Sequence, residues 1–296
     1  MRNRPSRTAQ SVAMNVLLLS YDPVFGRLVP PDVAAPTRWC LEAAVGRFVV
    51  LFDIPLFRIY ARYIERTTIP GIAVHNVTRK RWIEDKAREA ITLGCSQVVV
   101  LGAGYDTLAY RLHRQFSQVH WWEIDHPATQ RCKRVALDRH GGVQRNLQLL
   151  PVDFTRQTLA TVLQSTAGYD REAVSLFIAE GVLMYLTATE ASDLLQAVHD
   201  HSGPHSRIVG TALAPAPDGR LAIQGASERV NRQLQRAGEP FHWGLARAAL
   251  PAFLAAHAFR AIEITPVRAV LPQYLSAVPD DMQLPEGEYL FYAERS

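Results

Sequence analysis

Residues 97–111 of the chain read Q-V-V-V-L-G-A-G-Y-D-T-L-A-Y-R. The apolar residues 98–101 are too few and too β-branched for a helix and run directly into Gly102, Ala103 and Gly104, so they predict a strand buried on both faces. Beyond the glycines, apolar residues recur at helical spacing, at Leu108, Ala109, Leu112 and Phe116. The stretch therefore predicts a strand, a glycine-rich turn and a helix, the unit with which a parallel α/β sheet presents backbone amides to a nucleotide-like ligand.

The turn departs from the dinucleotide-binding fingerprint, because Thr107 stands where the third glycine of that pattern belongs. A side chain at this position keeps the helix further from the strand and narrows the space for a pyrophosphate. An adenosine-containing ligand without phosphates still fits. The alternative is a tight turn in an α/β domain of any function, since two glycines alone do not specify a ligand.

Composition narrows the class of protein. With 296 residues and 48% hydrophobic content, the chain can bury the core of one large domain or two small ones. Arg2, Arg4 and Arg7 supply three charges of the formal net charge of +4, so the rest of the chain carries +1 and no nucleic-acid partner is expected.

The widely spaced Cys40, Cys95 and Cys132 fit buried thiols in a reducing compartment, so we expect a cytoplasmic protein. No apolar run reaches the roughly 18 residues of a membrane span, and no membrane partner is expected.

Residues 8–93 follow a mostly helical pattern that prolines interrupt, and they predict a helical cap. From Arg79 to Leu93 there are 15 residues, about 22 Å of helix, which matches a strand of about six residues. If this helix packs antiparallel to the strand at 98–101, Arg79 lies near the C-terminal end of that strand, where open α/β sheets bind ligands. Its planar guanidinium then predicts a carboxylate or phosphate partner, and a surface arginine at a helix start is the alternative.

A second predicted strand, at residues 120–125, ends in acidic residues. Asp125 lies 23 positions after Gly102, close to the spacing of about 20 expected for a carboxylate that binds ribose hydroxyls. Glu123 lies two residues earlier and shares the same side of the strand. Asp125 is at the rim, where a ligand could reach it, and a solvated strand end is the alternative.

A third predicted strand, at residues 147–152, leads into Asp153 and Phe154. The pair offers a polar acceptor for an exocyclic amine and an apolar face for a purine. A plain helix cap before Thr155 is the alternative.

A fourth predicted strand, at residues 173–179, runs into a loop that contains Glu180 and Tyr185. The loop ends where Thr187 and Glu190 form a capping-box pattern for the next helix. Glu180 and Tyr185 are therefore expected at the same sheet edge as the glycine turn.

The rest of the chain completes the sheet. A fifth strand is predicted at residues 206–213, a helical insertion at 215–258, and two strands at 261–267 and 288–293 that pair antiparallel at a sheet edge. His199, His201 and His205 cluster near a helix end without a carboxylate or cysteine in metal-site spacing, so no metal site is predicted.

Four motifs occur in the same order as in a known family. They are V-V-V-L-G-A-G-Y-D-T-L-A-Y-R-L at 98–112, W-E-I-D-H-P-A-T-Q-x-x-K at 122–133, V-D-F at 152–154 and A-E-G-V-L-M-Y-L at 179–186. From residue 79 to about 259, the chain resembles the leucine carboxyl methyltransferase family of S-adenosylmethionine-dependent enzymes. The resemblance implies an α/β, class I methyltransferase fold, Rossmann-like, with a seven-stranded sheet whose last strand is antiparallel. It also implies a helical N-terminal cap at 1–93 and a cofactor-binding domain at 94–296 whose 215–258 insertion helps to cover the acceptor pocket.

The resemblance also implies a cofactor site for S-adenosyl-L-methionine. Arg79 matches the residue that holds the methionine carboxylate, Asp125 the ribose acid, Asp153 and Phe154 the adenine contacts, and Glu180 an acid near the amine. The complete predicted set is Arg79, Gly102, Ala103, Gly104, Asp106, Glu123, Asp125, Asp153, Phe154 and Glu180. The sequence departs from the family at Lys80, where bacterial members usually have threonine, and at Phe154, which replaces a leucine.

The predicted reaction is O-methylation. A carboxylate acceptor is ionised near neutral pH and needs no base, whereas a hydroxyl needs one, and the candidate bases are Tyr185, His75 and His242. Aromatic residues of the cap and the insertion either line the acceptor pocket or pack in the core of the cap. If they line the pocket, they predict a small-molecule or peptide-like acceptor. They are Phe57, Tyr60, Tyr63, Phe241, His242 and Trp243. The alternatives are a nicotinamide-dependent oxidoreductase and a non-catalytic S-adenosylmethionine-binding protein. The oligomeric state does not follow from the sequence.

Overall fold

A seven-stranded sheet forms the centre of the protein, in a computed structural model that describes residues 5–227, 239–276, 278–279 and 282–296. The strands are β1 Gln97–Leu101, β2 His120–Asp125, β3 Leu147–Pro151, β4 Ser175–Ala179, β5 Arg207–Leu213, β6 Phe259–Pro266 and β7 Glu288–Arg295. Their order is β3-β2-β1-β4-β5-β7-β6, and β7 runs antiparallel to both of its neighbours. The predicted fold class, with its antiparallel last strand, is confirmed.

Helices surround this sheet. They are α1 Arg7–Ser20, α2 Ala34–Val45, α3 Pro55–Thr68, α4 Ile72–Thr92, α5 Leu108–Gln115, α6 Pro127–Arg139, α7 Leu159–Ser165, α8 Ala188–Asp200, α9 Leu250–Ala255 and α10 Val267–Val270. Short 3-10 helices occur at Gly26–Leu28, Gly46–Asp53, Leu183–Tyr185, Arg247–Ala249 and Leu271–Gln273. Within the described residues, no helix combines the length and hydropathy required to span a lipid bilayer.

Two apolar layers enclose the sheet because its central strands are buried on both faces. Successive residues of a strand point to opposite faces, so Val98 and Val100 pack with Trp82 of α4, whereas Val99 and Leu101 pack with Leu195 of α8. Every residue of β1 is buried, as the β-branched run predicted. This packing fixes the turn that follows β1 at one edge of the sheet.

Helix α4 sets the position of the predicted Arg79. Its buried residues include Trp82, Ile83, Ala87, Ala90 and Ile91. The helix begins at Ile72, which places His75 one turn before Arg79 on the same face. Because α4 runs antiparallel to β1, both side chains lie toward the carboxyl ends of the parallel strands.

The described parts of the 215–258 insertion contain the 3-10 helix Arg247–Ala249 and helix α9. Residues 228–238 of this predicted insertion lie outside the described part of the chain.

Candidate active site

The glycine turn after β1 requires residues without side chains. Gly102 and Gly104 have φ angles of +61° and +51°, a region that other residues rarely adopt. A Cβ atom on Gly102 would lie 2.8 Å from Cγ2 of Val182, and one on Gly104 would lie 3.1 Å from Cβ of Ala9 in α1. The turn therefore lies directly beneath α1 and beside the loop after β4.

Asp125 is joined to this turn. Its Oδ2 accepts a hydrogen bond from the backbone N–H of Gly104 at 2.6 Å, and its Oδ1 accepts one from the N–H of His126 at 2.6 Å. Burial raises the pKa of Asp125, although both of these hydrogen bonds favour the ionised form. Each carboxylate oxygen keeps a second lone pair, so the group can still accept hydrogen bonds from ligand hydroxyls.

Arg79 lies between two carboxylates and borders the same cavity as the turn. Its Nη2 is 2.7 Å from Oε1 of Glu180, and its Nη1 is 2.9 Å from both oxygens of Glu288. Burial alone would lower the pKa of Arg79, but the charges of Glu288 and Glu180 raise it. Arg79 therefore has two carboxylate partners within the chain, whereas its pairing with a ligand carboxylate stays a prediction.

Lys80 extends the ionic contacts to the glycine turn. Its Nζ donates to Oδ2 of Asp106 at 2.5 Å and lies 3.0 Å from Oε1 of Glu180. Burial would lower the pKa of Lys80, but the charges of Asp106 and Glu180 raise it. The residue that departs from the family pattern is therefore paired with two of the predicted cofactor-site acids.

Glu288 completes this network and was not predicted. It is the first residue of β7, and its Oε2 lies 2.7 Å from Nε2 of His75. Burial would raise its pKa, but the charge of Arg79 and the hydrogen bond with His75 hold it well below its ordinary value. One signal in the sequence could have found Glu288: an antiparallel last strand starts at the edge where the parallel strands end, so an acid at its start faces the ligand edge.

Two other predicted residues have partners within the chain, and a third is exposed. Asp153 Oδ1 accepts hydrogen bonds from the N–H of Thr155 at 3.0 Å and from its hydroxyl at 2.7 Å, and these contacts lower the pKa of Asp153. Phe154 is 46% exposed. Glu123 is buried with its carboxylate 2.6 Å from Nζ of Lys133 on α6.

A single cavity brings the predicted site residues together at this edge of the sheet. It has a volume of about 2210 Å³. All ten predicted cofactor-binding residues border it, as do Tyr185, His75 and His242. A pocket for one small ligand is about 300–1,000 Å³, so this cavity has room for a cofactor and an acceptor together.

Aromatic side chains line one part of the cavity, although fewer than predicted. Phe57, Tyr60 and Phe241 border it. Tyr63 does not, because it lies six residues after Phe57, about 240° around the helix, and it is 63% exposed on the outer face of α3. Trp243 is buried in the core, with its ring 5.1 Å from that of Phe253. The expectation that these two residues line the pocket is wrong.

The three candidate bases differ in their surroundings. Burial raises the pKa of Tyr185 to about 12, so its phenol stays protonated near neutral pH. The His242 side chain is exposed, and its backbone N–H donates to the carbonyl oxygen of Met184 at 2.8 Å. His75 is 1% exposed and has a carboxylate partner. Of the three, His75 has the surroundings of an oriented base.

Helix α1 covers the cavity and is tied to the insertion by Glu239. The carboxylate of Glu239 accepts hydrogen bonds from the hydroxyl of Ser6 at 2.9 Å, from the N–H of Thr8 at 3.0 Å and from the hydroxyl of Thr8. A carboxylate at a helix N-terminus is favourable because it faces the positive end of the helix dipole. Two segments far apart in sequence are thus joined above the site.

The clustered histidines lie outside the cavity. His201 contacts Gln164, His199 contacts Asp200, and His205 contacts Glu294. In the part of the chain that the structure describes, no three His, Cys, Asp or Glu side chains are grouped as metal ligands.

Sequence comparison identifies the family. The leucine carboxyl methyltransferase profile matches residues 18–199. The chain belongs to this family. A Mycobacterium bovis member, provisionally named an S-adenosyl-L-methionine-dependent methyltransferase, is 31% identical over 211 residues, which cover 71% of this chain and 68% of the relative. Bacillus subtilis YktD has the same provisional name and is 30% identical, over 55% of this chain and 54% of its own length.

Several relatives of this family member align over part of their length. A Mycobacteroides abscessus protein, again provisionally named an S-adenosyl-L-methionine-dependent methyltransferase, is 38% identical over 49% of this chain and 46% of its own. The chain thus spans about half the length of the first curated relatives it matches.

Solved structures agree on the fold of this family member. A methyltransferase-like structure from Thermobifida fusca matches with a TM-score of 0.56 and 15% identity, covering 88% of this chain and 94% of its own. A DUF574-family protein from Streptomyces avermitilis matches with a TM-score of 0.59 and 15% identity, covering 82% and 91%. The family resemblance and the class I fold predicted from sequence are both confirmed.

Proposed function

We propose that this protein is an S-adenosyl-L-methionine-dependent O-methyltransferase that acts on a small-molecule or peptide-like acceptor. One observation carries the proposal. Two groups border one cavity at the carboxyl ends of the parallel strands. One is the Asp125 carboxylate, which is hydrogen-bonded to the glycine turn, and the other is Arg79, which lies between two acids. A nucleoside carrying an amino acid presents groups that are complementary to both ends of this arrangement.

The residues present fit this cofactor. Gly102 and Gly104 border the cavity in the positive-φ turn, and the adjacent Asp125 can accept from ribose hydroxyls. Asp153 and Phe154 border the same cavity and would contact the adenine. Arg79 would hold the methionine carboxylate, and Glu180 would hold the amine.

Bound there, S-adenosyl-L-methionine supplies a methyl group on a positively charged sulfonium, which is already a strong electrophile. The chain then has to position the acceptor and exclude water, and positioning of this kind can lower a barrier by several kcal/mol. Helix α1, with Glu239 at its N-terminus, covers part of the cavity.

Apolar side chains support a small or extended apolar acceptor. Phe57, Tyr60, Phe241 and Met184 border the part of the cavity formed by α3 and the insertion. Such a surface favours an apolar molecule because removal of apolar area from water stabilises binding.

Transfer of a labelled methyl group into a cell extract tests the proposal. The protein is incubated with labelled S-adenosyl-L-methionine and extract, the products are separated by size, and the small-molecule fraction is treated with mild base. Methyl esters are hydrolysed and methyl ethers survive, so the treatment distinguishes carboxylate from hydroxyl acceptors. The Asp125→Ala variant should transfer much less label, and Asp138→Ala, which changes an exposed aspartate on α6, should transfer as much as the unchanged protein.

Label in small molecules is the expected result. Label on a large protein alone would contradict the small-molecule acceptor. Binding of S-adenosylhomocysteine without transfer to any component would favour the non-catalytic alternative.

A further inference from the structure

One ring nitrogen of His75 is hydrogen-bonded within the described residues, and the other is not. The carboxylate of Glu288 is ionised and can only accept, so Nε2 of His75 carries the hydrogen that it donates across 2.7 Å. In a neutral imidazole with this hydrogen on Nε2, the other nitrogen, Nδ1, is the one that can accept a proton. It is buried and has no hydrogen-bond partner among the described residues. Since an unsatisfied buried polar atom is costly, this nitrogen indicates a group that arrives with a ligand.

The charges around His75 do not cancel. Arg79 and Lys80 on α4 face Glu288 on β7, Glu180 after β4 and Asp106 in the glycine turn. These two cations and three carboxylates give the network a formal charge of −1 before His75 is counted. Two other groups lie nearby. Glu65 on α3 accepts from the N–H of Ala73 at the N-terminus of α4, and Tyr185 is a neutral phenol.

The two forms of the cofactor differ by one charge. S-adenosyl-L-methionine carries a carboxylate, an ammonium and a sulfonium, a net charge of +1 that balances the network. S-adenosylhomocysteine lacks the sulfonium and has a net charge of zero. With that product bound, the network keeps its charge of −1 unless a proton is taken up. In a buried site an uncompensated charge is unfavourable, so the product complex favours protonation of a neighbouring base.

We propose that His75, oriented by Glu288, is the base that takes the proton of an acceptor hydroxyl. This inference rests on the proposed function and restricts the acceptor to an alcohol or phenol. An O–C bond forms, the C–S bond breaks with its electron pair left on sulfur, and the hydroxyl proton moves to Nδ1 of His75. The new imidazolium beside Glu288 replaces the positive charge that the sulfonium loses, so the charge of the site is unchanged by the reaction.

Proton uptake during ligand binding tests this without an acceptor. Binding of S-adenosyl-L-methionine and of S-adenosylhomocysteine is measured by calorimetry at one pH near 7, in phosphate and in Tris, whose ionisation heats differ. The two series give the number of protons taken up with each ligand. Binding of S-adenosylhomocysteine should take up more protons than binding of S-adenosyl-L-methionine, by up to one per site.

Three variants assign the proton. His75→Gln should remove most of the difference in proton uptake between the two ligands. The amino groups of the ligands contribute equally in the variant and in the unchanged protein, so they do not affect this comparison. Glu288→Gln should reduce it as well, and it serves as the test if His75→Gln does not fold. His199→Gln, which changes a histidine at the end of α8 outside the cavity, should keep the full difference.

Two results would overturn the inference. Equal proton uptake for both ligands in the unchanged protein would mean that no base responds to the lost charge. A difference that persists in both His75→Gln and Glu288→Gln would assign the proton to another group. Failure of both ligands to bind would instead overturn the proposed function itself, and with it this inference.

Discussion

Oε2 of Glu288 lies 2.7 Å from Nε2 of His75, although 213 residues separate them in sequence. The same carboxylate accepts two hydrogen bonds from Nη1 of Arg79. One acid at the start of β7 therefore orients a candidate base and the arginine assigned to the cofactor. In the proposed function, it would link the acceptor side of the cavity to the cofactor side.

Glu288→Gln should change the pH dependence of stability. Burial would raise the pKa of Glu288, but Arg79 and His75 hold it below its ordinary value of 4.5. A lowered pKa stabilises the folded state above pH 4.5, and that contribution is lost as the pH falls through the folded-state pKa. The variant should lower the free energy of unfolding at pH 7 by about 3 kcal/mol, since it leaves a buried cation less compensated. The difference should shrink as the pH falls below 4.5.

Urea unfolding at neutral and acidic pH measures both values. Glu286→Gln, two residues earlier and exposed, is the control and should change the free energy of unfolding by less than about 0.5 kcal/mol. An equal effect of Glu288→Gln at both pH values would show that the carboxylate is not stabilised in its ionised form.

Asp125→Ala should weaken binding of S-adenosylhomocysteine by about 1.5–3 kcal/mol, the range for hydrogen bonds to a charged group. The variant also loses the bond to the N–H of Gly104, so a thermal melt must show that it remains folded. Calorimetry gives the affinity, with Asp138→Ala as the control. An unchanged affinity in a folded Asp125→Ala protein would refute the ribose assignment.

The fold could be predicted because its signals are local. The β-branched residues 98–101, the glycines after them and the alternating pattern of the later strands are each readable within a few residues. Arg79 could be placed because a helix of known length packs against a strand of known length. Its partner Glu180 followed from the shared edge of parallel strands.

Glu288 and Lys80 could not be assigned because their roles depend on long-range register. Glu288 lies opposite Leu213 at the end of β5, a pairing that only the folded sheet fixes. Lys80 contacts Asp106 and Glu180, which come from two separate strand ends. The pocket aromatics were predicted in part, because the position of Tyr63 about 240° around α3 from Phe57 turns its ring away from the cavity.

Phe57→Ala should slow methyl transfer without changing cofactor affinity. Phe57 on α3 borders the cavity. Because the variant loses apolar contact with the acceptor, the rate of label transfer into the extract should fall at least about tenfold. Tyr63→Ala on the exposed face of the same helix is the matched control and should transfer label at the original rate. Calorimetry with S-adenosylhomocysteine confirms that the cofactor site is intact. If both variants behave alike, α3 does not contribute to the acceptor pocket.

Calorimetry of the unchanged protein with S-adenosylhomocysteine and with NAD tests the central claim most directly. Thr107 replaces the glycine that a pyrophosphate requires, whereas Arg79 and Asp125 provide for an amino acid and a ribose. We predict binding of S-adenosylhomocysteine and no binding of NAD. Binding of NAD with no response to S-adenosylhomocysteine would contradict the account and favour a nicotinamide-dependent oxidoreductase.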